Sequence, residues 1–179
     1  LALALAAKDS ISNFFGAITV LLDRPFKVGD WIIVGVAEGE VIEINLRTTL
    51  IRTSADTIIT MPNANLVNTP VENVGKRRWR RWQTQLHLDI NADGEAVDTF
   101  CQRVLKAIED HPKTLKEEAS FCQVSMISAT SLDVDLNLYW DVSGGVEERQ
   151  ERAKLIIQIK NIAEDLGIEF YDGRVRQQR

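Results

Sequence analysis

Cysteine and histidine are scarce in this 179-residue chain, with two of each. Cys101 and Cys122 lie far apart and make no CxxC pattern. That spacing points to a reducing compartment rather than a disulfide scaffold. His87 and His111 are separated by a helical stretch and lack a third partner, so neither a metal site nor a Cys/His nucleophile pair is expected. No internal repeat and no low-complexity tract occurs. A net charge of −5 gives no general reason to expect nucleic acid. Gly144-Gly145 precedes a helix but has neither the lysine nor the flanking glycines of a phosphate loop, and Glu147-Glu148 would repel phosphate there. Without a catalytic constellation the chain reads as a non-enzyme, and no cofactor is expected.

What is present is ordinary for a globular protein, with 45% hydrophobic and 26% charged residues, enough to build one large or two small cores. The chain opens on leucine inside an apolar run, with no initiator Met and no basic segment ahead of it. It is expected to be the carboxy-terminal part of a longer protein and not to begin with a signal peptide.

The first 26 residues set themselves apart. Leu1 to Asp23 as one helix would reach roughly 34 Å, long enough to cross a bilayer. Lys8 and Asp9 fall inside it, followed by Ser10, Ser12 and Asn13, and a lipid-facing span should not carry that charge. The segment is therefore expected to divide in two. In the first piece Leu1 and Leu5 share a face, with Ala2, Ala4, Ala6 and Ala7 small enough for close helix packing. In the second, Ile11, Phe14, Phe15, Ile18 and Leu22 form one apolar stripe, with Ser10, Asn13 and Ala17 on the other side. Asp9 is placed to cap the second piece, and Pro25 to end it. The stripe suits either a soluble amphipathic helix packed on the following domain or a helix lying at a membrane interface.

Short strands and turns follow from Val28 to Val74. Trp31 to Val34 reads as a strand and Gly35 to Gly39 as a loop. Ile42, Ile44 and Leu46 alternate with Glu43, Asn45 and Arg47 so that one face is buried. Thr48 to Arg52, Thr57 to Thr60 and Val71 to Val74 bring the total to about five strands, the signature of a small barrel. Pro62-Asn63 reads as a turn, with Asn63 making at most an Asx turn. The basic run Lys76-Arg77-Arg78-Trp79-Arg80-Arg81-Trp82 could bind phosphates and stack bases. Its alternation into Trp82, Thr84, Leu86, Leu88 and Ile90 instead favours a linker entering a half-buried strand.

The remainder reads βαββαβ. The first helix carries Val97, Phe100, Cys101, Val104, Leu105 and Ile108 inward and ends at His111-Pro112. Cys122, Val124 and Met126 alternate in one strand; Leu132, Val134, Leu136, Leu138 and Trp140 alternate in the next. The second helix turns Leu155, Ile156, Ile159, Ile162, Ala163 and Leu166 inward, stops at Gly167, and leads to a strand over Ile168 to Tyr171. Asp133, Asp135 and Asp141 are read as a solvated strand face, and the two cysteines as small core residues.

Lys8-Asp9-Ser10-Ile11-Ser12-Asn13-Phe14-Phe15-Gly16 and Asp23-Arg24-Pro25-Phe26-Lys27-Val28-Gly29-Asp30-Trp31, continued by Gly39-Glu40-Val41, Arg47-Thr48-Thr49, Arg52-Thr53 and Met61-Pro62-Asn63, resemble the small-conductance mechanosensitive channel (MscS) family. The likeness is to the larger members with a Lys-Asp pair at the pore-helix break. It implies a membrane α plus α+β architecture. A kinked transmembrane pore helix (1–26, kink near 8–9) would lead to an Sm-like β-barrel domain (27–75), a ferredoxin-like βαββαβ domain (76–173) and a short tail (174–179). It further implies that Leu1 and Leu5 form the pore constriction, that Ala2, Ala4 and Ala6 pack the pore helices, and that Phe14, Phe15, Ile18 and Leu22 belong to an interfacial helix. Asp9 stands where small prototype members have glycine, and their second glycine falls on Ala17, next to Gly16.

The function so implied is a homo-heptameric channel opened by membrane tension to release ions and small solutes in hypo-osmotic shock. Its partners would be identical subunits, membrane lipids and the permeating ions and solutes, with no nucleic acid. Its place would be the inner (plasma) membrane of a bacterium, or an organelle membrane of similar origin, with everything after residue 26 on the cytoplasmic side. Arg77, Arg78, Arg80 and Arg81 would then line a vestibule or meet lipid headgroups. The alternative is a soluble nucleic-acid-binding module of Sm-like and ferredoxin-like domains, with the basic tryptophan run as its binding surface.

Overall fold

The computed structural model describes residues 2–115 and 120–172, with side chains described from residue 7 onward. The chain divides into two compact units, Leu1–Arg78 and Trp79–Arg179. The break falls inside the basic run, a few residues beyond the boundary expected after residue 75.

The first unit begins with helix α1 (Ala2–Asp23). It is one uninterrupted helix where two pieces were expected. Asp9 is not an N-cap; its carbonyl accepts from Asn13 Nδ2 one turn on, at 2.8 Å, a bond that needs the helix to run through. The expected stop is met, and Arg24 provides it at φ +47°, its amide donating to Val20 O at 3.0 Å ahead of Pro25. No helix among the described residues is long and apolar enough to cross a membrane, because Lys8, Asp9 and the polar residues after them interrupt the only candidate.

Five strands follow: β1 (Trp31–Val34), β2 (Ala37–Ile44), β3 (Thr48–Arg52), β4 (Ile58–Pro62) and β5 (Val71–Asn73). They form one antiparallel sheet in the order β4-β3-β2-β1-β5. Val34 pairs with Ala37 across the Gly35-Val36 turn, so β2 starts within the stretch read as a loop. A register shift between Val41 and Glu43 changes the phase of burial along β2. Ala37 and Val41 are therefore the buried apolar positions, Ile44 is half-buried, and Leu46 is exposed beyond the strand. Pro62-Asn63 is not a plain turn: it opens a short helix, α2 (Asn63–Asn68). Val20, Phe26, Ile32, Val41, Ile51 and Leu66 make the core of this unit.

The second unit contains β6 (Arg80–Asp89), α3 (Gly94–Asp110), β7 (Phe121–Ile127), β8 (Ser131–Trp140) and α4 (Gly145–Asp165). Its sheet runs β6-β8-β7, all antiparallel. Residues 169–171 lie along the free edge of β6. Asp89 N donates to Glu169 O and Tyr171 N to His87 O, each at 2.8 Å, around a Leu88–Phe170 bridge. The expected βαββαβ order is thus present, with its last strand reduced to a bridge.

Burial follows position in the sheet. On the central strand β8, Val134, Leu136, Leu138 and Trp140 are fully buried. On β7, an edge strand with a register shift between Val124 and Met126, only Cys122 is buried, while Val124 and Met126 face outward, against expectation. Asp93 caps α3, accepting from Glu95 and Ala96 amides at 3.1 and 3.0 Å. On α3 Ala107 is buried and Leu105 only half-buried, and on α4 Ile156 is exposed. Gly167 (φ +67°) closes α4 with two bonds, Ile168 N to Ala163 O at 2.8 Å and Gly167 N to Glu164 O at 3.1 Å. A left-handed residue is required at that position, and only glycine takes it without cost.

Polar contacts tie the start of α4 to the end of α3. Lys113 Nζ donates to Glu147 Oε1 at 2.6 Å, and Ser143 donates to Glu147 Oε2 from its hydroxyl at 2.7 Å and its amide at 2.9 Å. These donors, Lys113 foremost, hold the Glu147 carboxyl down to about 2 against an ordinary value of 4.5. A depressed carboxyl stabilises the fold fully above its unfolded pKa, and that stabilisation disappears as pH falls towards the folded value. The urea midpoint of the second unit should therefore fall between about pH 4.5 and pH 2, and Glu147→Gln should flatten that part of the profile.

Candidate functional site

The chemistry of the first unit is concentrated where α1 meets α2. Pro62 precedes α2 and has no side chain to cap it, so the first amides of this helix need partners from elsewhere. Asn63 N donates to Arg47 O at 3.0 Å. Ala64 N donates to Asn13 Oδ1, also at 3.0 Å. Asn13 of α1 thus acts as the missing cap of a helix fifty-one residues away.

Asn63 is fully buried and spends its side chain on the β sheet. Its Oδ1 accepts from Thr49 Oγ1 at 2.9 Å, and its Nδ2 donates to Asn45 O at 2.8 Å. The Asx turn assigned to it from sequence is replaced by a crosslink between α2 and the sheet. Gly16 lies against the same peptide: a Cβ added there would stand 2.8 Å from both Asn63 C and Asn63 O. The docked face of α1 is therefore Asn13, Gly16, Ala17 and Val20, at i, i+3, i+4 and i+7.

This is the face opposite to the apolar stripe. Ile11, Phe14, Phe15 and Leu22 stay largely exposed, Phe15 at 60% and Leu22 at 77%; Leu21 is exposed beside them, and Ile18 is half-buried. The soluble reading, in which the stripe packs on the following domain, is overturned. The signal that could have shown this is the small-residue series Asn13, Gly16, Ala17, Val20, whose lack of bulk permits close approach. Of the residues assigned to the pore, Ala2, Ala4, Leu5 and Ala6 lie in α1 with their side chains outside the description, and Leu1 lies outside the described residues.

A second junction holds the end of α1. Lys76 Nζ donates to Arg24 O and Pro25 O, each at 3.0 Å, placing a cation at the carbonyl end of the helix. Asn73 Nδ2 donates to Pro25 O at 3.0 Å and to Asp30 Oδ2 at 2.8 Å, and Lys27 N donates to the same carboxylate oxygen at 3.1 Å. Asn73 is the largest influence lowering the Asp30 pKa, with Lys27 and Lys76 adding to it and burial opposing.

The basic run divides between roles. Arg77 and Arg78 are exposed. Arg80 pairs with Glu148 at 2.9 Å. Arg81 Nε donates to Asn137 Oδ1 at 2.6 Å, its guanidinium over the Tyr139 ring. Arg80 and Arg81 are therefore committed within the second unit, which weakens the nucleic-acid reading of the run. Asp133, read as solvated, is buried; His87 Nδ1 and Ser131 Oγ bond its carboxylate at 2.7 Å each and, His87 first, lower its pKa. Asp135 accepts from Gln85 Nε2 at 2.9 Å. Among the described residues no three His, Cys, Asp or Glu side chains group as a metal site.

A helix seated by its small face on a five-stranded unit, followed by a second, three-stranded sheet with two helices, defines an α+β architecture. Residues 9–76 match the family model described as the mechanosensitive ion channel β-domain. The small-conductance mechanosensitive channel MscMJ of Methanocaldococcus jannaschii is 42% identical over 115 residues, 64% of this chain and 33% of that protein. The low conductance mechanosensitive channel YnaI of Escherichia coli is 28% identical over 172 residues, 95% of this chain and 50% of that protein. The crystal structure of Helicobacter pylori MscS in its closed state superposes with a TM-score of 0.82 at 26% identity, covering 99% of this chain and 69% of that one. The chain is similar to mechanosensitive channels of the MscS family, and it spans a third to a half of the length of these two curated relatives.

Because the atoms facing Gly16 are backbone, they cannot give way cheaply. Gly16→Ala should cost the first unit about 1–3 kcal/mol in urea denaturation, and Asn13→Ala about 1 kcal/mol. Unchanged midpoints for both would mean that α1 is not seated on α2.

Proposed function

We propose that this chain forms part of a mechanosensitive channel subunit, opened by membrane tension to pass ions and small solutes during hypo-osmotic shock. The observation that carries the reading is the seating of α1. Within a β-domain that matches channel relatives over residues 9–76, α1 docks by Asn13 and Gly16 and leaves Phe14, Phe15 and Leu22 outward. An outward apolar stripe opposite a firmly held small-residue face suits a helix that lies between lipid and a ring of identical subunits.

In this proposal the apolar start of α1 lines the pore. Leu1 and Leu5 form the constriction, Ala2, Ala4 and Ala6 allow neighbouring helices to close on one another, and the charged pair Lys8-Asp9 ends the apolar pore segment within a helix that runs on without a break. One helix cannot enclose a pore, so the subunits form a closed ring; the family likeness points to seven. Rings of leucine close by dewetting, which leaves ions facing a desolvation barrier. Tension favours the state of larger in-plane area, as a ligand favours the state that it binds better. The two junctions of α1 with the β unit carry movement of the helix to the rest of the subunit. The ring sits in a bacterial inner membrane, or an organelle membrane of like origin, with the units after residue 26 on the cytoplasmic side.

Leu5→Ser in the full-length channel should wet the constriction and lower the tension threshold in patch recordings; a threshold equal to that of the parent would remove Leu5 from the gate. The arginines after residue 76 border the ion path in this proposal. Arg77→Gln with Arg78→Gln should then shift the reversal potential in asymmetric salt. An unmoved reversal potential would place Arg77 and Arg78 away from the ion path.

A further inference from the structure

Cys101 and Cys122 are distant in sequence, but the packing of α3 on β7 brings both into one core cluster and onto the wall of one cavity. Both are free and both are buried, at 8% and 4% exposure. They are not sealed in the middle of the core. That cavity, of about 390 Å³, is lined by both cysteines and also by Gly94, Val97, Asp98 and Val124. Its outer wall is thin, because β7 pairs on one side only and Val124 is itself exposed. A small reagent therefore has room to reach two adjacent thiols, an arrangement that packing alone does not require of either residue.

We propose that Cys101 and Cys122 are a reversible oxidation site, converted to an intramolecular disulfide by a low-molecular-weight disulfide such as oxidised glutathione. Cys101 attacks first in this proposal. The hydrogen bond from Cys122 favours the thiolate of Cys101 and lowers its pKa, while that bond and burial raise the pKa of Cys122. The thiolate is the nucleophile in exchange. Cys101 gives up its proton and attacks one sulfur of the oxidant; the oxidant's S–S bond breaks, and one half leaves and is protonated as a free thiol. A mixed disulfide remains on Cys101, whose sulfur no longer carries the charge that held the proton on Cys122. Cys122 then loses its proton and attacks Cys101 Sγ, expelling the second thiol. Two protein thiols are oxidised and one reagent disulfide is reduced to two thiols. The product bond ties α3 to the edge strand β7, and a thiol reductant reverses it.

The test uses the full-length protein in its native state. Oxidised glutathione should abolish alkylation of both cysteines and produce a peptide pair joining Cys101 to Cys122 that separates on reduction. Cys122→Ser should stop at the mixed disulfide, retaining one glutathione on Cys101, while Cys101→Ser should react at least tenfold more slowly. Two thiols that remain alkylatable after prolonged exposure to the oxidant would overturn the proposal. A crosslink between two copies in place of the internal bond would overturn it as well. An adduct that forms on Cys122 of the Cys101→Ser variant as fast as on Cys101 of the Cys122→Ser variant would overturn the order of attack.

Discussion

A helix that begins with proline at its cap position needs help from outside, and the first unit is arranged around giving it. The leading amides of α2 are met by Arg47 O and Asn13 Oδ1, and the Asn63 side chain is locked to Thr49 and Asn45. Each bond alone is worth about 1 kcal/mol net, but a buried amide left unpaired costs more than that. The constraint is therefore mutual. The short helix is held by the sheet below and by α1 above, and α1 is turned so that the Asn13 side-chain amide reaches Ala64.

That setting decides what the helix shows to its surroundings. Gly16 and Ala17 let the backbones approach, Val20 enters the core, and the phenylalanines are carried to the far side. A packing driven by hydrophobic burial alone would have chosen the opposite face. The exposed apolar residues are thus a consequence of polar satisfaction at α2, and they remain available for lipid or for neighbouring subunits in the proposed channel. Lys76 and Asn73 repeat the logic at the other end, where the last carbonyls of α1 are met by a cation and an amide.

The second unit rests on a different footing. Its centre is β8, whose buried residues join the sheet to α3 and α4 through a core that includes Phe100, Ile108, Leu136, Trp140, Leu155 and Ile159. The ends of the two helices meet through the contacts of Lys113 with Glu147 and Glu151. Toward the edge the packing thins, and there Cys101 and Cys122 line one open cavity. Well-packed centres resist chemical change; a thinly covered edge strand is where two neighbouring thiols can still be reached.

Much of this was legible in the residues themselves. The end of α1 at Arg24-Pro25, the glycine stop at Gly167 and the βαββαβ order are local matters of backbone conformation and periodicity, and they hold in the structure. The readings that failed depended on neighbours distant in sequence. Val124 and Met126 alternate as a buried strand should, yet β7 lies at an edge and has a register shift. Leu46 continues the alternation of Ile42 and Ile44 past the end of β2. Asn63 has the composition of a turn, but burial made it a crosslink. For α1, the apolar pattern established an amphipathic helix, whereas the choice of its docked face waited on the unpaired amide of Ala64. Periodicity follows from covalent geometry and is written in the chain; which face is buried is set by the unsatisfied polar groups and the space that the partner presents, and these exist only once the fold has formed.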